Sequence, residues 1–135
     1  MSGAGESRGV TPPFAVGQVG TATTEVSAAH TAQAVGSGSL PVFATPMLVA
    51  LMEQAACHCL APHLPEGQTS VGTHVDIHHT AASPQGAHIT ATATITQVNG
   101  RQIVFEVRAT DGTQEVGHGT HTRVAVDAAR FMGRL

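Results

Sequence analysis

TPMLVALMEQAACHCL, residues 45–60, decides how this chain must fold. Thr45 followed by Pro46 is a preferred helix start: the threonine suits the N-cap, and a proline in the first turn gives up no needed N–H. Met47, Leu48, Leu51, Met52, Ala55, Ala56, Cys59 and Leu60 then recur at helical spacing. Only Glu53, Gln54 and His58 interrupt them, so the helix over 46–60 is apolar on nearly every side and needs cover all round. Pro62 and Pro65-Glu66-Gly67 end it.

Four stretches downstream alternate with the period of a strand, from Thr69 to Thr80, His88 to Val98, Gln102 to Thr110 and Gln114 to Val126. In the first, Val71, Thr73, Val75 and Ile77 share a face that ends at His79, and His74, Asp76 and His78 share the other. Asn99-Gly100 and Asp111-Gly112 are two-residue hairpin signals, and Pro84-Gln85-Gly86 turns the chain between the first two. The pattern predicts a four-strand antiparallel meander. Upstream, the Val- and Thr-rich residues 14–30 predict one more strand. Residues 31–44, with GSGSLP inside, predict a long flexible connection of the kind that serves as a lid. Residues 1–13 predict a disordered tail, and the segment from Asp127 to Leu135 a short helix. An apolar helix in an α+β chain is best buried by wrapping the antiparallel sheet around it. Residues 14–135 therefore predict a single domain of hotdog architecture, a fold whose sheets pair as homodimers. Pairing also suits a core with four Phe and neither Trp nor Tyr.

Composition narrows the function classes. The formal net charge of −3 argues against nucleic acid as a partner. No apolar run is long enough for a membrane span, and MSGAGESRGVTPPF lacks the apolar stretch of a signal peptide. Cys57 and Cys59 are two apart on a helix and point to different sides. A cytoplasmic setting fits these features. All six cations are Arg, and five of them, Arg101, Arg108, Arg123, Arg130 and Arg134, lie beyond position 100. That asymmetry reads as a solvated C-terminal half or as a local phosphate-binding patch.

Three residues have the makings of a catalytic set. Glu53 interrupts an apolar helix, where an ionised carboxylate costs several kcal/mol unless paired; it is either a general base, or a group that orients one, or part of a solvent stripe with Gln54. Thr45 is a helix cap whose O–H proton stays available to a base. Eight residues separate the two, about 12 Å along a helix axis, so a third group must bridge them or two subunits must supply one each. His79 is the natural bridge, since it shares a face with Val75 and Ile77 and should point at the helix. A metal site from His74, Asp76 and His78 is the sharper alternative, but no zinc-hydrolase spacing matches HxDxHH. His30, His58, His63, His88, His118 and His121 form no readable constellation.

The runs VFATPMLVALMEQAACHCLAPHL, SVGTHVDIHHTAASPQG and DGTQEVGHGTHTRVAV, in that order, resemble the fluoroacetyl-CoA thioesterase-like branch of hotdog thioesterases over about residues 42–126. The resemblance implies an enzyme that hydrolyses an acyl-CoA thioester to a carboxylic acid and CoA. It implies Thr45, Glu53 and His79 as catalytic groups, Gly72 near the substrate carbonyl, and Arg123 on the CoA portion, with His79 also touching substrate. It further implies a homodimer with active sites at the subunit interface, and no cofactor beyond the CoA of the substrate. One departure stands out. The loop before VFAT reads AVGSGSLP and carries no aromatic lid residue, so a different or broader acyl selectivity is expected. A hotdog hydratase or dehydratase and a non-catalytic acyl-CoA binder are the rival readings.

Overall fold

The computed structural model describes residues 13–135; the expected N-terminal tail lies, but for Pro13, outside them. In chain order the elements are β1 (Val19–Glu25), a 3₁₀ turn (Ala28–His30), α1 (Ala32–Val35), α2 (Thr45–Leu60), a second 3₁₀ turn (Ala61–His63), β2 (Gln68–His79), β3 (His88–Asn99), β4 (Gln102–Thr110), β5 (Glu115–Asp127) and α3 (Ala128–Gly133). The strands form one antiparallel sheet in the order β1-β3-β4-β5-β2, and α2 packs across it.

The core is as aliphatic as the composition requires. Leu48, Leu51, Met52, Ala55, Ala56, Cys59 and Leu60 of α2 are buried against Ile89, Ala91, Ala93 and Ile95 of β3 and Ile103, Phe105 and Val107 of β4. The alternation read in β3 and β4 is the alternation of burial. Small residues let the layers approach closely. Gly20 of β1 lies so near α2 that a Cβ there would collide with the Ala55 carbonyl and the Cys59 backbone. His58 completes the seam through a 2.7 Å contact between Nδ1 and the Thr21 carbonyl.

The meander is only partly present. β3, β4 and β5 are joined by the two hairpins, but β2 pairs with β5 and not with β3. The segment around Pro84-Gln85-Gly86 is therefore not a hairpin turn; it carries the chain across the end of the sheet, tied to the residue after β1 by the hydrogen bond from Gly86 N–H to the Val26 carbonyl. This leaves β2 on an edge. A bulge at Thr73 also breaks its alternation, since Gly72 pairs with Arg123 and His74 with Thr122. The two halves of β2 are shifted by one residue in phase. Val71 thus does not share a face with His79, whereas Ser70 and Gly72 join Val75, Ile77 and His79 on the face toward α2.

The connection over 31–44 is built rather than loose. Thr31 caps α1 by accepting from Ala34 N–H, and Gly36 closes it at φ 81°. Thr31 bridges Phe43, and Val42 bridges Pro84. Gly20→Ala is expected to cost about 1–3 kcal/mol by forcing strand and helix apart. Thermal unfolding checks it, and a midpoint equal to wild type would mean that α2 is not seated on β1 as described.

Candidate active site

The start of α2 differs from its sequence reading in a way that matters. The N-cap is Ala44, Thr45 is the first helical residue, and no side chain caps the helix. The hydroxyl of Thr45 is used elsewhere, 2.8 Å from Nδ1 of His79. His79 is the last residue of β2 and lines, with Thr45, Phe43, Ser37, Ala81 and Ala82, a cleft of about 290 Å³. Burial holds its imidazole below the usual value, offset in part by the backbone at Ala81. His79 is therefore neutral at neutral pH. A neutral ring accepting the Thr45 proton at Nδ1 carries its own proton on Nε2, and that atom is buried without a hydrogen-bond partner.

Glu53 lies elsewhere. Its Oε2 is 3.3 Å from Nη1 of Arg123, and the two side chains line a separate cleft of about 710 Å³ with Met47, Ala50, Gln54 and Cys57. Phe43 borders both clefts. Within one chain Glu53 does not orient His79: the expected Thr45–His79–Glu53 relay divides into a Thr45–His79 pair and a Glu53–Arg123 pair.

Arg123 is 7% exposed, and its guanidinium is almost fully used. Nε donates to Ser70 Oγ at 2.8 Å, Nη2 to the Ser70 carbonyl at 3.0 Å, and Nη1 to Glu53 and to His121 Nε2 at 3.1 Å. Its evident work is to hold Glu53. Gly72 serves the same pair: a Cβ there would come within 2.6 Å of Glu53 Oε2.

His121 is the site residue that the sequence reading missed. It is 1% exposed, stacks on Phe105, and donates from Nδ1 to the His74 carbonyl at 2.8 Å. Nε2 is then a bare acceptor for Arg123, so the 3.8 Å approach of Nε2 to Glu53 is not an ion pair. Burial, chiefly, keeps the ring below its usual pKa. The available signal was register: His121 is two residues from Arg123 on one strand and must share its face.

His74, Asp76 and His78 lie on the outer face, where His78 stacks on His118 and is 4.0 Å from Asp76. Among the described residues no group of three or more His, Cys, Asp or Glu side chains is set to hold a metal. Cys57 and Cys59 are free thiols, and no helix among the described residues is long and apolar enough to cross a membrane.

With this geometry in place, comparison with known proteins decides the family. A model described as fluoroacetyl-CoA-specific thioesterase matches residues 26–129. This chain belongs to that family. The fluoroacetyl-CoA thioesterase of Streptantibioticus cattleyicolor is 42% identical over 94 residues, covering 70% of this chain and 68% of the relative. A solved variant of a fluoroacetyl-CoA thioesterase in complex with acetyl-CoA superposes with a TM-score of 0.85 at 35% identity, covering 90% of this chain and 96% of the other. A thioesterase superfamily member from Thermus thermophilus superposes at 0.84 with 25% identity, covering 92% of each chain. These neighbours share the hotdog architecture.

Two neutral imidazoles, His121 buried and His79 half-buried, make a pH prediction for this family member. In the folded chain His79 and His121 sit below the ordinary 6.5; unfolding restores it. Below about pH 6.5 the unfolded chain binds more protons, so stability is full above that pH and falls as pH drops toward the folded values. Denaturant titrations on either side of it should show a smaller acid loss in His121→Asn than in wild type. Equal losses would remove His121 from the account.

Proposed function

We propose that the Thr45–His79 pair of one subunit and the Glu53–Arg123 pair of a second subunit form a composite site at which an acyl-CoA thioester is hydrolysed to a carboxylic acid and CoA. Family membership makes the chain an acyl-CoA thioesterase; the division of its site between subunits is the added reading. The observation that carries it is His79 Nε2, buried and without a hydrogen-bond partner among the described residues, set against Glu53, whose contacts there all fall on Oε2 and leave Oε1 open.

The sheet edge supports the pairing. β2 is twelve residues long and, among the described residues, bonded on one side only, and Val75 on it is 45% exposed. A bare strand of that length is a template for another. Two copies meeting antiparallel across a two-fold axis carry the His79 end of each β2 toward the Ser70–Gly72 end of the other. Glu53 then approaches His79 from the partner, and Gly72 comes alongside the thioester carbonyl.

In the reaction, neutral His79 takes the Thr45 proton as oxygen attacks the thioester carbon, or takes it from a water that Thr45 positions. The carboxylate of Glu53 stabilises the imidazolium so formed. The tetrahedral intermediate collapses with loss of the CoA sulfur, which receives the proton from His79. On the threonine route, water then cleaves the acyl ester with the same base. Arg123 holds Glu53 in place, with the CoA portion passing the wall that both line.

Apart from Phe43, the loop residues bordering the His79 cleft, Ala32, Ser37 and Val42, are small or aliphatic, which fits acyl selectivity broader than fluoroacetyl. Thr45→Ala, His79→Ala and Glu53→Gln should each lower kcat by about 10²- to 10⁴-fold, with Thr45→Ser retaining much of it. Thiol release measured over short, halogenated, aromatic and long acyl-CoA esters checks both points. Enoyl-CoA hydration without thiol release would favour the hydratase, and near-normal turnover in all three variants would remove the assignment.

A further inference from the structure

The excess of arginine near the C-terminus has a spatial meaning. Arg108 is taken up on the outer face by Glu106 at 3.0 Å and Glu115 at 2.7 Å, and Arg123 by Glu53 and Ser70. The other three, Arg101, Arg130 and Arg134, border one cleft. With Val126, Asp127 and Phe131 they line a cleft of about 200 Å³ at the end of the sheet.

Two separate parts of the chain are held in place to make it. Arg101 follows Gly100, the positive-φ residue of the β3–β4 turn, and its carbonyl accepts from Ala125 N–H at 2.9 Å, tying the turn to β5. α3 leaves β5 at Asp127, whose Oδ1 accepts from Arg130 N–H at 2.9 Å. Arg130 and Arg134 then stand one helical turn apart on one side. The acid in the cleft, Asp127, uses Oδ1 in that backbone contact. Among the described residues, no carboxylate makes an ion pair with Arg101, Arg130 or Arg134. Three guanidiniums around one cleft carry more positive charge than Asp127 offsets, and their planar forks match phosphate oxygens. Phe131, half-buried in the same cleft, offers a ring face on which a base can stack.

We propose that this cleft holds the nucleotide end of CoA, its phosphates on Arg101, Arg130 and Arg134 and its adenine against Phe131. The inference rests on the acyl-CoA reading above and deepens it by naming CoA, rather than a carrier-protein thioester, as the form selected. Distance agrees. Asp127 is four residues beyond Arg123 on β5, roughly 13 Å at the rise of a strand, and an extended pantetheine arm covers that interval from the thioester. An acyl carrier protein presents one phosphodiester and no adenine, so it leaves most of these groups without a partner.

Calorimetry on the full chain tests this with CoA, dephospho-CoA, pantetheine and adenosine 3′,5′-bisphosphate. Wild type should bind CoA about tenfold or more tightly than pantetheine, with affinity falling steeply as salt rises. The Arg101→Ala/Arg130→Ala/Arg134→Ala variant should bind the two alike, and Arg108→Ala on the outer face should keep the preference. In wild type, adenosine 3′,5′-bisphosphate should shift the backbone amide resonances of residues 127–134, a readout that needs no variant. A triple variant that still prefers CoA, or shifts confined to other regions, would overturn the proposal. Acyl-CoA turnover without any preference for CoA over pantetheine removes this inference alone. A clear preference without turnover removes the hydrolysis reading alone.

Discussion

A buried guanidinium must be paired, and the inner face of this sheet is arranged around that requirement at Arg123. An uncompensated cation there would cost several kcal/mol, so the surroundings supply a carboxylate, a hydroxyl, a carbonyl and a neutral imidazole. Each partner constrains the chain in turn. Ser70 and Gly72 must face inward, and the bulge at Thr73 is what allows them to share a face with His79, an odd number of residues away. Gly72 must lack a side chain because the Glu53 carboxylate occupies that space. His121 donates to His74, and burial, chiefly, holds its ring below the usual pKa beside Arg123.

The same pairing keeps Glu53 away from His79. On the proposed reading one chain holds two incomplete halves, an acid–base pair lacking its carboxylate and a carboxylate lacking a base to serve. The unpaired edge of β2 offers the way to join them. Burial that an aromatic-poor core forgoes within one chain is also regained at such an interface.

Much of the architecture was legible because it rests on local chemistry. The helix of residues 45–60, the Asn99-Gly100 and Asp111-Gly112 hairpins, and the strand from Gln102 to Thr110 follow from periodicity and turn residues alone. The position of β2 was not, since its pairing with β5 is a long-range choice that no local signal encodes. The bulge was hidden for a related reason: strict alternation is the default reading, and Thr73 carries no mark of an extra residue. At the site, Thr45 and His79 meet as expected, but the threonine gives up its cap to do so. Glu53 was recognised as a carboxylate in need of a partner, yet the partner is Arg123, seventy residues away. His121 went unread because a histidine among nine acquires meaning only from the strand register that places it beside Arg123.

The most direct test of the divided site is subunit complementation between two inactive variants, Thr45→Ala and Glu53→Gln, mixed and allowed to exchange. A mixed dimer holds one site in which Thr45 and His79 come from one chain and an intact Glu53 from the other. The account predicts recovery to about a quarter of wild-type thiol release, because half of the molecules are mixed and each has one working site. Activity that stays at the level of the parent variants, in a sample shown to contain mixed dimers, would contradict it and place the whole catalytic set within a single chain.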